Sequence, residues 1–393
     1  MRKISADAVI LGGGIAGLWT LARLRNAGYN AILIENKAIG GIQSIASQGI
    51  IHGGTKYALG GRLGDSAKAI GDMPRIWQTC LDGKGEIDLS AVQVLTQTQL
   101  LWSGESALSR VAGFFAGKMM KDRMRSLKPK DFPVPFDHKD FNGSVYQLNE
   151  PVVDTQSLVT VMYTQLKAYC FIGEVLGGSD VQRLLVKSDT GEQLQIATQM
   201  TVLTAGQGNQ GLLELLGRKQ PKMQKRPVHM LMVKGDLPEL YAHCLGASAN
   251  PRLTITSTQE ADGSVVWYIG GGIAETGIKR DRQQQIEAAK SEINAVLPWL
   301  KSSNWLWSTV MLDRCEIHTP GNKRPESSFV ESDDGLITVW PTKLAFAPRA
   351  AAQVEEAVNR HMGQPRATNL QSDMPLSHPP IASRPWNATQ WES

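Results

Sequence analysis

The stretch DAVILGGGIAGLWTLARLRNAGYNAILIENKAIGGIQSIASQGIIHGGTKY, residues 7–57, decides how this chain folds. It opens with a short apolar run at residues 8–11, of the kind that a buried parallel strand needs. A glycine-rich turn follows, and then an apolar-periodic stretch at residues 15–24 that ends in Asn26-Ala27-Gly28, a helix stop. A second apolar run, residues 31–34, ends in Glu35. This order predicts a strand, a tight turn, a helix and a second strand.

The turn has the spacing G-x-G-x-x-G, which suits a dinucleotide. Gly12 permits the turn, Gly14 lets a pyrophosphate approach the backbone, and Gly17 lets the helix pack closely on the strand. Glu35 lies about 20 residues on, where a carboxylate accepts hydrogen bonds from the ribose hydroxyls. We expect dinucleotide contacts from Gly12, Gly14, Ile15, Ala16, Gly17, Glu35 and Asn36. The motif alone does not separate NAD from FAD.

Chain length, net charge and cysteine content limit the classes of protein to which this chain can belong. A chain of 393 residues predicts one large or two medium domains, and a net charge of +4 is too small to indicate nucleic-acid binding. Its four cysteines are scattered without metal-ligand spacing, which favours a reducing compartment and argues against structural zinc. No apolar run approaches the ~18 residues of a membrane-spanning helix. We therefore expect a cytoplasmic protein without a signal peptide, a transmembrane segment or a bound metal.

Residues 44–57, SIASQGIIHGGTKY, are small and glycine-rich, so the backbone can run close to a flat ligand. They resemble the second signature of the D-amino acid oxidase superfamily of flavoproteins, which includes glycine and sarcosine oxidases, glycerol-3-phosphate dehydrogenase and 2-hydroxyglutarate dehydrogenase. The form G-I-I-H-G-G-x-x-Y is most similar to the hydroxyacid and glycerol-phosphate branch. The resemblance implies FAD, with this segment beside the isoalloxazine ring. The contacts that it implies are Ser44, Gln48, Gly49 and Ile51.

His52 lies in the same signature and has several interpretations. In similar proteins a histidine near this place is a catalytic base, a substrate contact or a covalent flavin attachment. The plain alternative is a ring that only packs near the flavin. An imidazole that titrates near neutrality suits proton abstraction, so we predict a catalytic and substrate-binding role. Tyr57 is predicted to line the same substrate pocket.

Two later segments resemble the remaining flavin signatures. Residues 200–209, MTVLTAGQGN, predict a strand that ends at the cofactor, with contacts from Ala205 and Gly206. Residues 335–353 predict a strand at 336–340 and then a helix that opens at Thr342, Lys343 and Leu344. In the family the positive end of that helix faces the flavin and stabilises its anionic reduced form.

Residues 305–325, WLWSTVMLDRCEIHTPGNKRP, correspond to the place where amino-acid-oxidising relatives carry a substrate-clamping arginine. Arg314 occupies the matching position, and a guanidinium forms a bidentate pair with a planar carboxylate. We predict that Arg314 is a catalytic and substrate-binding residue. The alternative is a salt bridge with Asp313 or Glu316, and His318 and Arg324 are alternates for the clamp.

A basic stretch at residues 108–130 is predicted to be a helix with a solvated face. A more specific interpretation of this stretch is a surface that docks on a membrane or a partner protein. Further helices are predicted at 67–80, 155–169 and 282–296, strands at 90–101, 228–233, 252–257 and 265–270, and a hairpin from 181–187 and 193–196.

The resulting expectation is an α/β fold: a Rossmann-type FAD-binding domain with a second mixed-sheet α+β substrate domain, in the glutathione-reductase-like superfold. The FAD domain is predicted at 1–85, 145–222 and 315–365, the cap at 86–144 and 223–314, and a tail at 366–393. The predicted function is oxidation of a small amino acid, amine or 2-hydroxyacid by hydride transfer to flavin N5. The alternative is an FAD-binding protein that acts mainly by docking through the basic helix.

Overall fold

The computed structural model of the protein describes residues 2–53, 72–104, 124–246, 250–301, 304–365 and 374–393. Within these ranges the strands are β1 (Arg2–Leu11), β2 (Ala31–Glu35), β3 (Val94–Thr96), β4 (Gln99–Ser103), β5 (Met124–Ser126), β6 (Ser144–Leu148), β7 (Val152–Val153), β8 (Cys170–Ile172), β9 (Glu174–Asp180), β10 (Arg183–Lys187), β11 (Gln193–Leu203), β12 (Met223–Gly235), β13 (Ala242–Cys244), β14 (Leu253–Gln259), β15 (Val265–Gly270), β16 (Leu306–Ile317), β17 (Phe329–Asp333) and β18 (Leu336–Trp340). The helices are α1 (Ile15–Asn26), α2 (Met73–Leu81), α3 (Thr155–Leu166), α4 (Asn209–Leu215), α5 (Gly272–Thr276), α6 (Arg282–Val296) and α7 (Ala347–Met362).

The first sheet has the strand order β17-β18-β11-β1-β2-β8, and β9 and β10 extend it from β11. Its centre is parallel, since β1 pairs in parallel with both β2 and β11. All five residues of β2 are buried, because helices or other layers cover both faces of a parallel sheet. Helix α1 packs against α3 and α7 on one side of this sheet. The opening stretch of the sequence therefore forms the predicted Rossmann-type unit at the centre of the sheet.

The second sheet has the order β16-β12-β15-β14-β13-β4-β6-β5. Its pairs are antiparallel except for β13 with β4. Helix α6 covers one face through its apolar stripe of Ile286, Ala289 and Ile293. The opposite face is therefore the one that is left to meet the first sheet unit.

One row of residues crosses that opposite face. Register places Leu101 beside His243, His243 beside Thr254, and Thr254 beside Gly270. The row lies against the segment that follows β2, since the side-chain amide of Gln48 donates to the carbonyl of Thr254 at 2.9 Å. We call this contact between residues 46–53 and the second sheet the seam.

The C-terminal residues 374–393 cross from one sheet unit to the other. Ile381 forms a parallel bridge with Ile39 near the end of β2, and Glu392 forms an antiparallel bridge with Trp307 in β16. Between them, Arg384 pairs with the buried carboxylate of Asp154 at 2.5 Å. The part of the predicted tail that the structure describes thus contacts both sheets, although it contains few regular elements.

Several elements agree with their predictions. Helix α6 spans 282–296 and strand β18 spans 336–340, as the patterns indicate. Helix α3 is followed by a 3-10 turn to Tyr169, so the helix predicted at 155–169 is present in two parts. The boundaries of the domains stay a prediction.

Other elements differ from their predictions. The strand predicted at 90–101 is two strands in different sheets, because a turn at Thr96–Thr98 separates β3 from β4. The two apolar runs at 193–196 and 200–203 form one strand, β11. The helix predicted at 67–80 is described only from 72 onward and begins at Met73.

The helix predicted at 108–130 is wrong where the structure describes it. Residues 124–126 form the edge strand β5, paired with β6, and residues 129–131 form a 3-10 turn. Pairing with β6 supplies backbone hydrogen bonds that outweigh the apparent helical period. Residues 108–123 of that prediction lie outside the described residues. In the ranges described, no helix is long and apolar enough to cross a membrane.

Candidate active site

The turn between β1 and α1 leaves no room for side chains. Gly12 has φ of 111°, and a Cβ atom there would lie 2.5 Å from the Cα of Ala205. A Cβ on Gly17 would lie 2.0 Å from the carbonyl oxygen of Gly12. Gly14 is the N-cap of α1, and Ile15 and Ala16 form its first turn. We call this turn, with Glu35 and residues 205–206, the cradle.

Glu35 lies at the end of β2 and faces the turn. Its carboxylate accepts the N–H of Gly13 at 2.7 Å and the N–H of Lys37 at 2.9 Å. Asn36 is the exposed residue that follows. Ser44 approaches the same helix end, because its hydroxyl accepts the N–H of Ile15 at 2.9 Å. The cradle therefore combines backbone N–H groups with one carboxylate.

Residues 48–51 connect the cradle to the seam. Gln48 donates from its amide to the carbonyls of Thr254 and Tyr268, at 2.9 and 3.0 Å. Gly49 has φ of 68°, and a Cβ there would lie 2.0 Å from the carbonyl of Val153. Ile51 is fully buried. The glycine and the small side chains let this backbone pass closely beneath the second sheet.

Strand β11 ends at Leu203, and Ala205 and Gly206 follow it directly beside the turn. Gly206 has φ of 59°, and its carbonyl accepts the indole N–H of Trp340 at 3.0 Å. Asn209 fixes the same loop, because its side chain accepts the N–H of Ala205 at 2.7 Å and donates to Val339. Parallel strand ends thus meet at the cradle, as the α/β topology requires.

The helix predicted to open at Thr342 begins later. Thr342 has φ of 66°, and its hydroxyl donates to the carbonyl of Ser327 at 2.9 Å. Lys343 is buried, with its Nζ atom 4.8 Å from the ring centroid of Phe346. A 3-10 turn starts at Leu344, and α7 starts at Ala347. A left-handed residue cannot continue a right-handed helix, which explains the shift.

His52 lies in the seam with partners from two distant segments. Its Nδ1 atom is 3.3 Å from the carboxylate of Glu150, which is 2% exposed. Its ring stacks on that of His243, with centroids 6.0 Å apart and an interplanar angle of 24°. His243 is itself buried, and its Nδ1 lies 2.9 Å from the hydroxyl of Thr254. The seam therefore holds an imidazole next to a buried carboxylate.

Arg314 lies on β16 with an acid partner that the sequence did not indicate. Its guanidinium pairs with Glu275 of α5 at 3.1 Å and donates to the carbonyl of Arg226 at 3.3 Å. Burial and the neighbouring guanidinium groups of Arg226 and Arg324 lower the pKa of Arg314, although arginine remains charged at neutral pH.

The alternative acid partners of Arg314 are engaged elsewhere. Asp313 pairs with Lys225 at 3.0 Å, and Glu316 pairs with Arg226 at 2.7 Å. The strand of Arg314 lies four places from that of His243 in the sheet order. The structure thus places His52 and Arg314 in separate clusters. Tyr57, the other predicted substrate contact, lies outside the described residues.

Comparison with known proteins decides the family. Residues 7–322 match the family model described as FAD dependent oxidoreductase, or DAO. A probable FAD-dependent oxidoreductase of Pseudomonas aeruginosa, PA4991, is 41% identical over 398 residues, covering 98% of each chain. The chain belongs to the FAD-dependent oxidoreductase family.

Solved structures of this family have the same fold. The crystal structure of PA4991 matches with a TM-score of 0.84 and 39% identity, over 98% of this chain and 99% of that one. Glycine oxidase from Geobacillus kaustophilus matches with a TM-score of 0.63 at 13% identity, over 94% and 97% of the chains. L-alpha-glycerophosphate oxidase from Mycoplasma pneumoniae, solved with FAD bound, matches with a TM-score of 0.64 at 13% identity, over 94% and 98%. The protein is therefore an FAD-dependent oxidoreductase with the predicted flavoprotein fold.

The cradle fits the FAD that the family requires. The close packing at Gly12 and Gly17 allows the tight turn and brings α1 close to β1, and Gly14 leaves the N-terminus of α1 without a side chain, so that a pyrophosphate can approach the backbone there. The N-terminus of α1 offers its partial positive charge, and no acidic residue lies in its first turn. Glu35 is the carboxylate at this turn that is predicted to accept hydrogen bonds from the ribose. The individual contacts of these residues with FAD remain predictions.

Three functional candidates emerge only from the structure: Glu150, His243 and Glu275. Glu150 had a weak signal in the sequence, because it lies two residues before the apolar pair Val152 and Val153. His243 and Glu275 had none, since their partners are distant in the sequence.

Proposed function

We propose that this family member oxidises a small 2-hydroxyacid, and more broadly that its substrates are small 2-hydroxyacids, amino acids or amines. The observation that supports the 2-hydroxyacid is His52, held in the seam between Glu150 and His243. A hydroxyl must lose its proton as the hydride leaves the carbon, so a base is needed. A neutral amine needs none, which makes a placed imidazole more useful to a hydroxyacid.

The roles follow from the chemistry of each group. The chemistry that FAD supplies when bound is acceptance of the hydride at N5. His52 takes the hydroxyl proton at Nε2, so the alcohol carbon loses a hydride and the oxygen loses a proton to give a 2-oxoacid. Because a small 2-hydroxyacid carries its hydroxyl and carboxylate on neighbouring carbons, and His52 and Arg314 lie in separate clusters, the carboxylate clamp proposed for Arg314 belongs to the amino-acid alternative, in which no base at His52 is needed. In that alternative Arg314 must release Glu275 before it binds the substrate carboxylate. Gln48 and the buried Tyr268 hold the segment of residues 46–53 against the second sheet.

The same proposal includes the binding partner, the cellular compartment and the domain division of the enzyme. Its partner is a small molecule with a carboxylate, rather than a nucleic acid or a membrane. The described cysteines are free and buried, which suits a cytoplasmic, reducing compartment. The proposed division into an FAD domain and a cap corresponds to the two sheets at most strands, but β6, Ser144–Leu148, pairs in the second sheet although its residues 145–148 were assigned to the FAD domain.

An anaerobic screen tests the substrate class. Purified protein is mixed without oxygen with 2-hydroxyacids, amino acids and N-methyl amino acids, and the flavin absorbance is followed. We expect at least one 2-hydroxyacid to bleach the flavin faster than its 2-amino analogue. Bleaching by amino acids alone would contradict the hydroxyacid proposal, and bleaching by none of them would contradict the wider one.

A further inference from the structure

Glu150 is a buried acid between two strands of different sheets. It follows β6, which ends at Leu148, and precedes β7, which begins at Val152. Its side chain is 3% exposed, and a buried carboxylate is unfavourable unless charge and hydrogen bonds compensate it. The amide of Gln99 lies 3.5 Å from the backbone carbonyl of Glu150. The surroundings thus keep this acid in place at the seam.

Both oxygens of the Glu150 carboxylate reach the same short loop. Oε1 accepts the N–H of Gly53 at 2.8 Å, and Oε2 lies 3.3 Å from Nδ1 of His52. A carboxylate at Nδ1 favours the neutral tautomer that carries its proton there. The lone pair of the neutral ring is then at Nε2, which is the atom that accepts a proton from a substrate.

The second sheet restrains the plane of the same ring. His243 stacks against His52, and it is fixed by its own contact with Thr254. A positive charge on His52 next to another imidazole needs a counter-charge nearby. Among the contacts described at this ring, Glu150 is the acid that supplies it.

We propose that Glu150 is the positioning residue for His52. It fixes the tautomer and orientation of the ring, and its negative charge balances the imidazolium that forms when the ring takes a proton. The use of His52 and Glu150 together as a base in catalysis rests on the proposed function. The coupling of Glu150 to the titration of His52 is independent of the proposed function.

The test is ring ¹⁵N NMR of the holoenzyme labelled at histidine, with His52 assigned by its loss in His52→Gln. Wild type is compared with Glu150→Gln, Glu150→Asp and the control Glu316→Gln. Glu316 is matched, because it is a buried carboxylate, 1% exposed, that pairs with Arg226 instead of a histidine. Flavin absorbance and thermal unfolding confirm that each variant is folded.

In the wild type we expect the Nδ1–H tautomer of His52. In Glu150→Gln the midpoint of the His52 titration moves to lower pH by about one unit, because the imidazolium loses its counter-charge. Glu150→Asp keeps the charge, so it stays closer to wild type, and Glu316→Gln leaves the titration unchanged. An unchanged titration in Glu150→Gln, or an equal shift in Glu316→Gln, would overturn the proposal.

A kinetic measurement separates this proposal from the proposed function. For a hydroxyacid that bleaches the flavin, the rise of kcat/KM with pH shifts to lower pH in Glu150→Gln. The plateau also falls about 10- to 100-fold, since the ring is less well oriented. If NMR shows the coupling but no hydroxyacid reacts, the proposed function fails and the positioning role stands. If a hydroxyacid reacts without any shift in Glu150→Gln, the positioning role fails alone.

Discussion

The cradle and the seam are built in opposite ways. In the cradle, Gly12 and Gly17 matter because they carry no side chain, and a single Cβ would meet backbone atoms at 2.0 to 2.5 Å. In the seam, His52, Glu150 and His243 matter for the side chains that they bring from separate segments. We predict that the first region binds FAD, and we propose proton chemistry in the second. Changes in the two regions should therefore have different consequences.

The largest effect is expected from Gly17→Ala in the cradle. The added Cβ would lie 2.0 Å from the carbonyl oxygen of Gly12, so α1 must shift away from β1 and the phosphate site is lost. We expect the purified variant to contain almost no flavin, measured as the ratio of absorbance at the flavin and protein bands. Gly211→Ala on α4 is the control, since its Cβ meets nothing within 4 Å. Normal flavin content in Gly17→Ala would contradict the prediction that FAD binds at the cradle.

The next effect is expected from His52→Gln in the seam. We expect full flavin content but anaerobic flavin reduction by a 2-hydroxyacid that is about 10²- to 10⁴-fold slower, the usual range for losing a general base. His361→Gln, an exposed residue near the end of α7, is the control. Loss of flavin from His52→Gln would mean that the two regions are not separable.

A smaller pair of effects is expected around Arg314. Because Glu275 pairs with its guanidinium, Glu275→Gln removes a competitor and should lower the KM for a carboxylate substrate several-fold. Arg314→Lys should raise KM about tenfold, since lysine cannot form the bidentate pair. Unchanged KM values in both variants would exclude Arg314 as the clamp.

The smallest effect is expected from two buried cysteines, one in each sheet, and it tests how well each sheet excludes water. Burial raises the pKa of Cys170 in β8 and of Cys244 in β13 to about 12 each, from the usual 9.0. The native state therefore disfavours the thiolate, so each cysteine contributes stability below pH 9 that is lost as pH rises toward 12. Between pH 8 and pH 10, ionisation of each cysteine in the unfolded state should lower the free energy of unfolding by about 1 kcal/mol.

Denaturant unfolding at these two pH values measures this loss in Cys170→Ala and Cys244→Ala. Each variant should lose less stability with pH than wild type, by a similar amount. A response in one variant alone would show that one of the two sites admits water.

Elements that are decided by contacts between residues close in the sequence were predicted correctly, and elements that are decided by contacts between distant segments were not. Helix α6 and strand β18 depend on local periodicity and were predicted within their bounds. The helix expected through residues 124–130 was wrong because pairing with β6, a distant partner, decides that segment. The partner of Arg314 was missed for a similar reason. Successive residues of a strand point to opposite faces, so Asp313 faces away from Arg314, and Glu275 comes from another element.

The sequence by itself determined the Rossmann-type unit, the cradle and the family of the protein. Those features depend on glycines at fixed spacing, on an acid one strand later and on separate signature segments, each of which is a local pattern in the chain. Only the tertiary structure brought Glu150 and His243 to His52, and Glu275 to Arg314. Such pairs arise from packing one sheet against another and from the register of the strands, which no local pattern encodes.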